Sequence, residues 1–285
     1  MPPSPSLPNP ANVRCMNTAT EYWTARALLE WQVEMGADEA MLDAPLDRFA
    51  LAEAEAKPVA VAASPLPTRQ APPPVPVPPT AAELASASLS EAETAAARAT
   101  SLDELAQAQA GYDHCDLKKG ARNFVFADGL PNARVMVVGE APGREEDLEG
   151  RPFVGQAGQL LDRMFAAIGL SRQSSDRATG LYITNVLPWR PPGNRAPEPA
   201  EVAMMLPFLR RHIELAAPDF VVLMGNTPCQ ALLGRQGILR MRGQWAEVLG
   251  KPTLPMTHPA YLLRTPEAKR EAWADLLSLK SRMGS

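Results

Sequence analysis

Four short apolar runs punctuate the C-terminal part of the chain: Arg134–Val138, Tyr182–Val186, Asp219–Met224 and Thr253–Thr257. They read as strands. Helical patterns fall between and after them, at about 156–168, 198–216, 227–234 and 266–282. Strand–helix alternation predicts a parallel sheet with helices on both faces. Upstream the pattern changes. Residues 19–56 look helical, with Trp23, Ala27, Leu28 and Trp31 at helical spacing. A second helical stretch covers roughly 83–110, and its Ser101-Leu102-Asp103-Glu104 has the form of a capping box. Between the two, 57–82 reads as an extended Pro/Ala linker, since nine prolines lie between Pro58 and Pro79. Residues 1–18 read as a disordered lead. Residues 111–285 are left as the globular domain.

Composition narrows the class. The chain has 285 residues, 46% of them apolar, enough for one sizeable α/β domain plus an appendage. No run approaches the roughly 18 apolar residues of a membrane span. The N-terminus lacks the basic and apolar regions of a secretory signal. Cysteines 15, 115 and 229 are too few and too scattered for a disulfide framework. A cytoplasmic monomer is expected. Net charge is −4, which argues against a polyanionic partner until the chain is divided. Residues 101–285 hold 22 Lys+Arg and 20 Asp+Glu, so +2; residues 1–100 hold 6 and 12, so −6. Any contact with a polyanion must come from a local basic face.

Candidate chemistry concentrates in three stretches. Val135–Gly158 is an apolar run broken at Gly139, followed by the carboxylates Glu145, Glu146 and Asp147 and then by Phe153. A strand that ends in such a turn places the next residues at the carboxyl edge of the sheet, where open α/β folds bind ligands. The other two are ITNVLPWRPPGNRAP (183–197) and THPAYLLR (257–264). In this order the three motifs resemble the uracil-DNA glycosylase superfamily, and within it family 4. The likeness runs from about Tyr112 to the C-terminus. It implies a three-layer α/β/α sandwich around a central four-stranded parallel sheet, and hydrolysis of the bond between uracil and deoxyribose in DNA.

Base excision explains the residue types. An extruded base needs a stacking surface, a reader for its edge, and a donor where charge develops on departure. By resemblance Phe153 is the platform and Asn185 the reader, whose amide offers both donor and acceptor. His258 is the donor to uracil O2. Gly139, Glu140 and Ala141 shape the turn against the base. Better-known family 1 enzymes carry an aspartate where this chain has Ala141. Glu146 is the first candidate for a further role, positioning water or crowding the C5 edge of the base. The alternative is that Glu145, Glu146 and Asp147 form the first turn of a helix, where acids suit the dipole. Leu262 and Leu263 read as an apolar wedge for the emptied stack, or else as the buried start of the last helix. Arg190, Arg195 and Arg264 are candidates for phosphate contacts. His114 and His212 read as structural.

Family 4 enzymes usually bind a 4Fe–4S cluster through four cysteines. Here the corresponding positions are Tyr112, Cys115, Trp189 and Met205. Three of four ligands are lost, so no cofactor is expected, and the three large side chains are expected to fill the space. Two further readings compete with the enzyme. One is a binding protein that captures uracil-containing DNA or a damaged base without turnover. The covalent-trapping branch of the superfamily has an inserted histidine-bearing loop, and this chain has the short PPGNRAP instead. The other is phosphate binding at Gly139–Gly143, but no Gly-Lys-Ser/Thr follows. A protein partner for the 19–56 helix is a further possibility.

Overall fold

The computed structural model describes residues 81–284. The expected lead at 1–18, the helix at 19–56 and nearly all of the linker at 57–82 lie outside the described residues. The connector at 83–110 is two helices, α1 (Ala81–Arg98) and α2 (Leu102–Gly111). The break falls at Ser101, which caps α2 by accepting the Glu104 N–H at 3.2 Å. The Glu104 carboxylate turns back onto Thr100 N–H at 2.7 Å. The predicted box is thus closed one residue upstream.

After the short α3 (Leu117–Gly120) come β1 (Ala127–Gly129), β2 (Val135–Gly139), α4 (Arg144–Glu149), α5 (Gln156–Ala166) and β3 (Leu181–Asn185). Then follow α6 (Pro199–Ala216), β4 (Phe220–Met224), α7 (Asn226–Leu233), α8 (Ile238–Met241), β5 (Ala246–Val248) and β6 (Lys251–Met256). The chain ends in α9 (Pro259–Arg264) and α10 (Lys269–Met283).

The sheet has six strands in the order β1-β3-β2-β4-β6-β5. Its centre, β3-β2-β4-β6, is the expected parallel four. The expected strand count is corrected by two antiparallel edge strands, β1 and β5. Each has three residues, too short a run to stand out as a strand in the sequence.

Two apolar cores flank the sheet, and the strands feed both by alternation. Val135 and Val137 of β2 face the core built with Leu161 and Phe165 of α5 and Leu276 and Leu279 of α10. Met136 and Val138 face the other, with Leu105 of α2 and Phe208 and Ile213 of α6. Burial on both sides explains why the central strands read as continuous apolar runs. The result is the expected three-layer sandwich. Strand order reverses at β2, whose neighbours β3 and β4 leave in opposite directions, and a crevice opens there at the carboxyl ends. Among the described residues no helix is long and apolar enough to cross a membrane.

Candidate active site

The crevice holds a cavity of about 760 Å³. Its floor comes from the carboxyl ends of four parallel strands: Glu140 after β2, Asn185 at the end of β3, Gly225 after β4 and His258 after β6. Phe153 joins them from the connection between α4 and α5. The ring, the amide and the imidazole expected to meet around one base therefore line one cavity.

Their packing is tight. The Phe153 and His258 rings lie 5.5 Å apart and nearly parallel, at 29°. Gly139 is the hinge of this arrangement. A Cβ there would fall 2.3 Å from Asn185 Oδ1 and 2.5 Å from the Phe153 ring, so no larger residue lets both approach. Asn185 Oδ1 is buried and has no hydrogen-bond partner. A buried acceptor left unpaired costs about 1–3 kcal/mol, a cost relieved when a ligand donor fills the cavity.

His258 is set up as a neutral donor. Its Nδ1 accepts the Ala260 N–H at 3.2 Å, which leaves the proton on Nε2. Burial, seconded by the nearby Arg264 charge and opposed by Glu146, pushes its pKa down to about 4. The imidazole is therefore uncharged at neutral pH and still carries one N–H to give.

Phe153 sits at φ 54°, a left-handed conformation that an aromatic residue adopts only when its surroundings impose it. Two charged groups do so. Arg172 donates to Pro152 O at 2.8 Å and to Phe153 O at 2.9 Å. Its guanidinium is fixed in turn by Asp128 at 3.0 Å and Asp162 at 2.8 Å. From the other side Glu146 Oε1 accepts the N–H groups of Val154 and Gly155, both at 3.0 Å. Glu146 Oε2 accepts the Gly143 N–H at 3.0 Å. The platform is held by its carbonyls and by the amides that follow it.

Glu146 lines the cavity, and its carboxylate accepts three backbone N–H groups, which anchors the turn. Glu145, Glu146 and Asp147 do form the first turn of α4. Asp147 is buried and accepts the N–H groups of Arg122 and Asn123. Glu140 accepts from the Thr227 hydroxyl and borders the cavity with Ala141.

One expected DNA contact is corrected. Leu262 is fully buried against Leu160 and Ala272, so it belongs to a core and not to a wedge. Only Leu263 of that pair is exposed. Arg195 forks onto the buried Glu201 and keeps part of its guanidinium exposed. Arg190 bonds Asn194 Oδ1 at 2.7 Å and has no carboxylate partner among the described residues. Arg264 is exposed at the cavity edge.

Sequence reasoning missed Arg172, Thr227 and Thr257. Arg172 lies in a connection whose pattern carries no signal. Thr257, next to His258, lines the cavity with its hydroxyl buried and unpaired. Its place in the THPAYLLR motif was the available clue.

The four positions of the family's cluster come together in one apolar core, without the chemistry to hold iron. Tyr112, Cys115, Trp189 and Met205 are all buried. Tyr112 donates its hydroxyl to Ser88 O at 2.8 Å and packs edge-on to Phe208. Trp189 packs on Phe124, and Met205 Sδ takes a weak bond from Gln109 at 3.6 Å. Cys115 is the one thiol of the four, and burial raises its pKa, favouring the protonated form that binds metal poorly. A 4Fe–4S cluster does not fit this set of donors. Among the described residues no group of three or more His, Cys, Asp or Glu is arranged to hold a metal ion.

Comparison with known proteins agrees with the geometry. Residues 126–277 match the model of the uracil DNA glycosylase superfamily. The chain is 40% identical over 184 residues to a type-4 uracil-DNA glycosylase of Archaeoglobus fulgidus, covering 61% of this chain and 89% of that protein. It is 38% identical over 172 residues to the type-4 enzyme of Thermotoga maritima, covering 59% and 86%. With the crevice at the strand reversal, the three converging side chains and this extent of similarity, the chain belongs to the uracil DNA glycosylase superfamily.

Proposed function

We propose that this protein is a monofunctional uracil-DNA glycosylase that hydrolyses the N-glycosidic bond of deoxyuridine in DNA and leaves an abasic site. The reading rests on one observation: Phe153, the unpaired amide oxygen of Asn185 and the neutral His258 line a single cavity. An extruded uracil stacks on the Phe153 ring. The Asn185 amide pairs with its N3–H and O4 edge. As the bond from N1 to the sugar breaks, the electron pair moves onto the base and the sugar becomes cation-like. His258 Nε2–H faces the charge gathering on O2. A donor fixed where charge develops lowers the barrier without reorganising. Water then adds to the sugar carbon. Glu146 holds the platform throughout, and Arg190 and Arg264 meet phosphates.

We propose further that the enzyme carries no 4Fe–4S cluster, and that Tyr112, Trp189 and Met205 take over its packing. A monomer in the cytoplasm is the proposed working form, with 111–285 as its catalytic domain. A protein partner for the 19–56 segment stays with this reading.

The test is a uracil-containing oligonucleotide incubated with the protein and then treated with alkali. Strand cleavage at the uracil is expected, with losses of about a hundredfold or more in His258→Ala and Asn185→Ala. A wild-type protein that binds the oligonucleotide but releases no uracil would instead identify a binding protein without turnover.

A further inference from the structure

A buried hydroxyl without a partner is costly, so native folds rarely keep one. Three threonines are buried among the described residues: Thr184, Thr253 and Thr257. Two follow the rule. Thr184 Oγ1 donates to Phe126 O at 2.6 Å, and Thr253 Oγ1 donates to Lys251 O at 3.0 Å. Thr257 is the exception. It is 2% exposed, and its hydroxyl has no hydrogen-bond partner.

Its place gives the exception a meaning. Thr257 follows β6 directly, precedes His258 and lines the same cavity. Among the described residues only one other side-chain nitrogen or oxygen is both buried and unpaired. That atom is Asn185 Oδ1, and Asn185 lines the cavity too. Orphaned polar atoms arising from loose packing would scatter through the molecule. Two of them in one cavity wall point to a polar ligand that pairs with both.

The sheet order says which part of the ligand Thr257 meets. Asn185 ends β3, whereas Thr257 and His258 follow β6, and β2 and β4 lie between those two strands. The two orphaned atoms therefore approach from opposite flanks of the cavity. A uracil read by Asn185 along N3–H and O4 keeps its other carbonyl, O2, for the β6 flank. Resting on the glycosylase reading, we propose that the Thr257 hydroxyl donates to uracil O2 beside His258, a second hydrogen bond to the oxygen that gains charge as the glycosidic bond breaks. The hydroxyl is neutral and already stripped of water, so it stabilises that charge without reorganising. The unpaired state of the empty site is then the cost of a donor kept ready for the transition state.

The experiment compares full-length wild type, Thr257→Val and Thr257→Ser on a single-stranded uracil oligonucleotide, with enzyme in excess so that one turnover is followed. Valine keeps the shape of threonine and removes only the hydroxyl. Thr257→Val should lower the maximal rate about tenfold or more, while the enzyme concentration giving half that rate moves less than about threefold. Thr257→Ser, which keeps the hydroxyl, should recover most of the rate. A thermal melt without DNA separates a ligand contact from a structural one. Removing an orphaned hydroxyl should leave Thr257→Val melting at least as high as wild type, whereas removing a structural hydrogen bond lowers the melt. An unchanged maximal rate in Thr257→Val, a loss that serine does not recover, or a loss accompanied by a lower melting temperature would overturn the proposal. A wild type that releases no uracil would sink the glycosylase reading itself, and the second donor with it.

Discussion

One guanidinium governs where the proposed stacking ring stands. Arg172 spends its donors on two aspartates and on the carbonyls of Pro152 and Phe153, so the left-handed turn at Phe153 is imposed by a buried charge. Removing that fork leaves Asp128, Asp162 and two carbonyls short of partners. Arg172→Met should lower kcat/KM for uracil release about tenfold or more, by freeing the ring. Arg172→Lys should recover little, because an ammonium is a point charge and cannot reproduce the planar fork. Steady-state kinetics on both variants, at a temperature where circular dichroism shows them folded, provides the check. A wild-type kcat/KM in folded Arg172→Met would deny the positioning role. Of the residues around Phe153, the ring itself and Asn185 are legible because they sit in recognisable motifs. Arg172 is not, since nothing local in the 171–180 connection announces a contact nineteen residues back.

At the scale of elements, the central strands were legible because burial on both faces makes them continuous apolar runs. The edge strands β1 and β5 were not. Three residues such as Ala127-Asp128-Gly129 become a strand only because β3 offers them a free edge. The same logic misdirected the reading of Leu262: its loop-like surroundings suggest exposure, while α9 turns it onto Leu160. The cluster positions bring in packing between elements. Trp189 and Met205 join the segment after β3 to α6, and Tyr112 ties α2 to α1 through Ser88. If these side chains do the cluster's work, Trp189→Ala should cost about 3–5 kcal/mol of stability, read as a fall in the denaturant midpoint. The purified wild type should show no charge-transfer band near about 400 nm and no stoichiometric iron. A band with iron in proportion would show that the cysteine count misled.

For the whole molecule, two buried histidines couple stability to pH. Burial pushes His212 down to about 3, where its ring stacks on Phe126 and bonds the Tyr182 hydroxyl at 2.9 Å. His258 is pushed down to about 4. In the unfolded chain both take up a proton near pH 6.5, so there the unfolded state binds more protons than the folded one. Their contribution is complete above about 6.5 and is lost as pH falls, through about 4 for His258 and about 3 for His212. Each costs about 1.4 kcal/mol per pH unit within its window. Denaturation at pH 7 and pH 5 should therefore differ markedly, and His212→Phe should flatten the slope. An unchanged slope in that variant would mean His212 is not held neutral in the fold.

The sequence by itself determined the layered α/β architecture, the family, and which three side chains are candidates to surround a base. Those are properties of local pattern: apolar runs, turn residues, and motifs short enough to be read without knowing their neighbours. Only the tertiary structure decided which polar groups remain free. Glu146 and Arg195 look available in the sequence and are engaged in space, while Thr257 reads as a mere neighbour of His258 and keeps a buried hydroxyl unpaired in the cavity wall. The physical reason is that availability is set by partners far along the chain. Three dimensions bring those partners together, and no window of sequence contains them.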